Sequence, residues 1–180
     1  MRRVLLLAAA PGGLFISACL IGGLAGYRIN LTSSLPPGLW RQAPADSAPY
    51  VELCLPEGPF AQLVKDRGYV PAGTCPAGLV PLLKPVVARA GDTVTVTEGG
   101  IAVNGLPRLL QPPASTDSQG RPLQPVAPGV YRVEPGSLWV LSTYHPRSLD
   151  SRYFGPVSQA QVLAGMRPVL VLNQRADYPL

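Results

Sequence analysis

Lysine is almost missing from this chain of 180 residues: there are two, Lys65 and Lys84, against thirteen arginines. Histidine occurs once, at His145, and the three cysteines form no Cys-x-x-Cys pair, which excludes the ligand clusters of structural zinc sites. Charged residues make up 14% of the chain, well below the roughly 25% of an ordinary soluble domain. The net charge of +5 comes with no basic run longer than Arg2-Arg3, so no nucleic-acid stripe is present. A Gly-x-Ser-x-Gly elbow is also absent, as is any internal repeat.

What is abundant is apolar residues, 47% of the chain, together with 22 prolines and 19 glycines. After Met1-Arg2-Arg3 every residue from Val4 to Tyr27 is uncharged, and Arg28 closes the stretch. A bilayer core needs about 20 such residues, so residues 1–28 read as a single membrane anchor and 29–180 as the domain it carries. Basic residues before the span place the amino terminus in the cytoplasm and the domain on the far side. A cleaved signal peptide is the competing reading, and Ile16-Ser17-Ala18-Cys19 resembles a lipoprotein cleavage site with Cys19 as the acylated residue. Each version exports the domain, where Cys54 and Cys75 are expected to pair; two buried free thiols are the alternative.

Beyond Arg28, short apolar runs between turns predict one antiparallel β domain with short helices. Strands are expected at Val51 to Leu55, at Thr93 to Thr97, at Ile101 to Val103, at Val130 to Glu134, at Ser137 to Ser142 and at Met166 to Leu172, while Leu79 to Arg89 is a nearly continuous apolar run interrupted by Pro81, Lys84 and Pro85. Asn104-Gly105 is a hairpin signal, because both turn positions favour residues that tolerate positive φ. Pro59 to Arg67 predicts a helix stopped by Gly68, and Ser158 a cap for a second one over Gln159 to Leu163. Leu106 to Gly129 reads as a long exposed, mobile loop.

Two residues stand out chemically. Lys84 lies between Leu82-Leu83 and Pro85-Val86-Val87, where an ammonium is costly to bury and where arginine, used almost everywhere else, could never release its proton. A lysine there suits a general base whose pKa is lowered by about 2–3 units; a stem that packs while its head reaches water is the plain alternative. Just past the expected span, Asn30-Leu31-Thr32-Ser33-Ser34-Leu35-Pro36-Pro37-Gly38-Leu39-Trp40 offers hydroxyls at the membrane face.

Ser34-Leu35-Pro36-x-Gly38-Leu39-Trp40, then Lys84-x-Val86-x-x-x-Gly91-Asp92, then Ser148-x-Asp150-Ser151-Arg152-Tyr153-Phe154-Gly155-Pro156-Val157 together resemble the type I signal peptidase family. The small size, the Cys54/Cys75 pair and the Ser-x-Pro-x-Gly-Leu-Trp form are similar to its conjugative-transfer branch, the TraF-type proteases. The resemblance implies Ser34 as nucleophile and Lys84 as base, with an oxyanion hole from the Ser34 backbone and the Thr32 hydroxyl. It implies Ser148 as the residue orienting the lysine, with Asp150 and Arg152 as a supporting pair. It further implies no cofactor, a location in the bacterial inner membrane with the domain in the periplasm, and membrane lipid as an environment. The implied substrate is a pilin-like precursor, cut after small side chains and released by hydrolysis or by cyclisation, with other conjugation or type IV secretion components as partners. Departures occur at Pro85 and at Ser142-Thr143-Tyr144-His145-Pro146-Arg147, where the family's usual residues are missing. A triad through His145 and Asp150, and a non-catalytic membrane-tethered module that assists assembly, are the rival readings.

Overall fold

The computed structural model describes Gly23 and residues 25–172. Cys19 and the expected anchor lie outside the described residues except for Gly23 and residues 25–28, of which Tyr27 and Arg28 open a β-strand, and among the described residues no helix is long and apolar enough to cross a membrane.

Among the described residues, eleven strands and two α-helices follow in chain order: β1 (Tyr27–Asn30), β2 (Gly38–Ala43), β3 (Tyr50–Leu53), α1 (Pro59–Asp66), β4 (Leu82–Arg89), β5 (Thr93–Thr97), β6 (Gly100–Val103), β7 (Leu106–Leu109), β8 (Gly129–Arg132), β9 (Ser137–Val140), α2 (Ser151–Phe154), β10 (Val157–Ser158) and β11 (Val162–Val171). They form a seven-stranded sheet, β1-β2-β11-β3-β4-β9-β10, and a four-stranded sheet, β7-β6-β5-β8. Every pairing is antiparallel, as the mainly-β reading expected.

The alternation in Thr93-Val94-Thr95-Val96-Thr97 buries both valines against Ile101, Val103, Ala88, Val133 and Trp139, and this cluster joins the two sheets. Asn104 and Gly105 carry φ of 50° and 77°, the doubly positive turn that matches strand twist. Gly68, at φ 65°, ends α1, and Ser158 caps a 3-10 turn at Gln159–Gln161. That turn is shorter than expected because β11 already begins at Val162. Pro168 is tolerated in β11 because the pairing with β3 ends at Met166↔Tyr50, past which that edge needs no donor.

Three segments differ from expectation. The stretch around Ser34 is a hairpin loop between β1 and β2, two strands that the sequence hid because each buries a single side chain, Asn30 and Trp40. The long segment after Leu106 opens as a strand, and its remainder is docked rather than loose. Asp117 takes Arg121 Nε at 2.6 Å and the Tyr69 hydroxyl at 2.5 Å, while Ala114 and Val126 donate backbone hydrogen bonds to Tyr153 and Arg152. The polar turn at 151–154 is a single helical turn, α2, capped by Asp150.

Candidate active site

β4 runs inside the seven-stranded sheet, between β3 and β9, and holds Lys84 opposite Val51 of β3. Its side chain is 2% exposed. The ammonium donates to Ser148 Oγ at 2.8 Å. Burial pulls the Lys84 pKa from 10.5 down to about 8; the Asp150 carboxylate opposes that shift and the Arg152 guanidinium adds to it. An amine near 8 exchanges its proton at physiological pH, which a solvated lysine does not.

Ser148 and Asp150 sit at the start of α2. Asp150 Oδ1 accepts from Arg152 Nε at 2.7 Å and Oδ2 from Arg152 Nη2 at 2.7 Å, a two-pronged pair with both side chains at most 2% exposed. Arg152 Nη2 also donates to the carbonyls of Ser142 and Ser148, and Nη1 to that of Pro146. The pair therefore fixes the whole 142–150 loop that presents Ser148 to the lysine. Buried charges held this way are satisfied, and either one left alone would be costly.

The Ser34 loop is shaped by a residue to which the sequence assigned no role. Asn30, buried at the end of β1, donates through Nδ2 to the carbonyls of Leu35 and Pro36, while its Oδ1 accepts from the Thr32 backbone and hydroxyl. Thr32 Oγ1 lies 2.7 Å from Asn30 Oδ1, so its proton must leave Asn30 before it can face an oxyanion. Ser142 supplies the second anchor: its hydroxyl donates to the Ser34 carbonyl, and its backbone N–H donates to Asp150 Oδ2 at 3.0 Å. One serine thus links the Ser34 loop to the Asp150–Arg152 pair. Gly38 closes the loop with no side chain because a Cβ there would lie 2.1 Å from the Leu170 carbonyl oxygen. Asn30 left no periodic signal, but an asparagine at the start of a Thr-Ser-Ser and Pro-Pro-Gly loop is the type of residue that bonds local backbone.

Ser34, Thr32 and Lys84 line one cleft of about 320 Å3, whose walls include Leu82, Leu83 and Met166. The chain from Tyr69 to Leu82 forms another wall and is tied to the residue after β3 by a Cys54–Cys75 disulfide, the pairing that the sequence reading expected. His145 is not among the cleft-lining residues, and its Nδ1 accepts from the Arg147 backbone. Both oxygens of Asp150 are engaged by Arg152 and Ser142, which removes the support that a His145 triad needs. Among the described residues no group of three or more His, Cys, Asp or Glu could hold a metal ion.

The pattern of the signal peptidase family, peptidase S26, matches residues 50–171, a span that includes Lys84, Ser148, Asp150 and Arg152 and begins after Ser34. A conjugal transfer protein TraF of Agrobacterium fabrum is 36% identical over 176 residues, covering 96% of this chain and 98% of its own. A probable conjugal transfer protein TraF of Sinorhizobium fredii is 40% identical over 161 residues, 86% of this chain and 81% of its own. A solved signal peptidase I from Enterococcus faecalis aligns with 54% of this chain and 87% of its own at 27% identity and a TM-score of 0.31. The chain belongs to the signal peptidase family, peptidase S26, and its relatives over nearly the whole length are TraF conjugal transfer proteins.

Proposed function

We propose that this chain is a serine endopeptidase anchored in the bacterial inner membrane, with its domain in the periplasm, that matures a pilin-like precursor through a Ser34/Lys84 dyad. The observation that carries the reading is the buried Lys84 amine, held by Ser148, lowered toward neutral pH, and facing the same cleft as Ser34. Neutral Lys84 takes the Ser34 proton as Oγ attacks the scissile carbonyl. An acyl-enzyme forms, and water or an amine then releases it. The Ser34 N–H and, once turned from Asn30, the Thr32 hydroxyl receive the negative charge that develops on the carbonyl oxygen.

Exposed Ile29, Leu31, Leu170 and Leu172 lie on or beside the strands that carry the Ser34 loop, which supports lipid contact at this end of the sheet. The TraF relatives support a place in conjugation, with other transfer or secretion components as partners.

The test is precursor processing in cells that express the full chain. Ser34→Ala and Lys84→Arg should each leave the candidate pilin at its precursor mass, as read by mass spectrometry. Normal maturation in both variants would remove the enzyme reading and leave a tethered assembly module.

A further inference from the structure

Among the described residues, the cleft that holds Ser34 and Lys84 contains a single acidic side chain, Glu52, and nothing in the proposed chemistry uses it. Glu52 sits in β3, inside the sheet, between Ala164 of β11 and Leu83 of β4. Leu83 directly precedes the proposed base. The Glu52 side chain is 15% exposed, on the face of the strand opposite to Val51 and Leu53. A carboxylate can accept about four hydrogen bonds.

The supply here is thin. Among the described residues Glu52 accepts one hydrogen bond, from Arg28 Nε to Oε1 at 3.2 Å. Arg28 does not present its fork: its Nη1 is turned to the carbonyls of Gly23 and Tyr27. The arginine is 37% exposed and lies on β1, at the edge of the sheet. The charges that shift Lys84 are Asp150 and Arg152, on the side of the loop before α2.

We propose that Glu52 is a specificity-determining residue of the peptidase: it receives a cationic group of the bound precursor, either a lysine or arginine side chain near the cut or the free amino terminus. The proposal rests on the peptidase reading above. In the free enzyme Arg28 holds the carboxylate through one nitrogen and shields it. When the substrate strand enters, its cation takes the open side of Glu52, and Arg28 stays in place or swings to solvent, which its exposure permits. The surrounding leucines and Met166 keep the local dielectric low, so one charge matched there discriminates more strongly than at an open surface.

A purely structural role, tying β1 to β3 through Arg28, predicts no preference for charge in the substrate, and this separates the two. The experiment uses the full chain in detergent micelles and alanine-rich peptides in which a single lysine, or norleucine as its neutral isostere, is walked along the sequence; a parallel set carries free or acetylated amino termini. The expected result is a kcat/KM about tenfold higher for lysine than for norleucine at one position, or for the free over the acetylated terminus. That ratio should fall to near one in Glu52→Gln. In Glu52→Lys, glutamate should become the favoured residue at the same position.

Equal rates for lysine and norleucine at every position, with equal rates for both termini, would overturn the Glu52 proposal while Ser34-dependent cleavage kept the peptidase reading. Absence of any product that Ser34→Ala abolishes would remove both. The wild-type arm alone decides the question if either variant fails to fold.

Discussion

Lys84 Nζ donates to Ser148 Oγ at 2.8 Å across 64 positions of sequence, and both residues are 2% exposed. That contact brings a strand from the middle of the chain to the loop before α2 and leaves an amine in a place where its proton is only loosely held. The pH dependence of acylation follows from it. In the proposed dyad the base works when neutral, and burial lowers the Lys84 pKa to about 8. The rate of Ser34 acylation should therefore rise about tenfold per pH unit below 8 and level off above it. Single-turnover measurements with a covalent serine reagent from pH 6 to 10 would read this directly. A flat profile over that range would exclude Lys84 as the titrating group.

The same residue is a liability for the fold. The native pKa lies below the unfolded value of 10.5, so between about 8 and 10.5 the unfolded chain holds a proton that the native chain has shed, and stability rises with pH across that window. Below 8 the cost of the buried ammonium stands in full, about 3 kcal/mol at 1.36 kcal/mol per unit. Lys84→Met should abolish acylation yet raise the midpoint of chemical unfolding at pH 7, and the gain should shrink as pH rises from about 8 to 10.5. A variant less stable than the parent at pH 7 would contradict the burial cost.

Asp150 and Arg152 push the lysine in opposite directions. The carboxylate holds its pKa up and the guanidinium holds it down. Asp150→Asn should then move the rising limb of the acylation profile to lower pH, and Arg152→Met to higher pH. Both variants break a buried ion pair, so each should lose about 3–5 kcal/mol in unfolding measurements. A loss of stability with the limb unmoved would show that the pair supports the loop without tuning the amine.

Lys84 stands out in the sequence because it breaks the chain's own habit of using arginine, and Val94 and Val96 because alternation at period two has one structural solution. Ser34 and the Ser148–Arg152 stretch were legible by resemblance alone; as bare sequence they pass for polar turns. Asn30 and Ser142 were invisible for a different reason. Each acts through hydrogen bonds to backbone, Asn30 to the carbonyls of Leu35 and Pro36 and Ser142 to that of Ser34. A backbone carbonyl leaves no mark on composition or periodicity. β1 and β2 were hidden likewise, since strands that each bury one side chain show no alternation.

Thr32 offers a sharper test of the proposed oxyanion hole than a simple deletion. Its hydroxyl is bonded to Asn30 Oδ1, and the Thr32 backbone N–H uses the same oxygen. Thr32→Val keeps the shape and removes the donor, so acylation should slow by about a hundredfold with little change in stability. Thr32→Ser should keep most of the rate. Equal slowing in both variants would mean that the threonine methyl, through the loop's shape, matters more than the hydroxyl.

The disulfide carries the remaining prediction, because it separates the cleft wall from the proposed catalytic groups. Cys54 follows β3 directly and Cys75 lies in the segment from Tyr69 to Leu82, while Lys84, Ser148 and Asp150 are held by contacts that do not involve either cysteine. The bridge closes a loop of 21 residues, worth about 3 kcal/mol of stability when the unfolded chain is so constrained. Replacing both cysteines by alanine should lower stability by about that amount. Below the new melting temperature, KM for peptide should rise, since Tyr69, Val70 and Pro71 line the cleft, while the pH midpoint of acylation stays near 8. A shifted midpoint would mean that the wall reaches the amine and that the two functions are not separable.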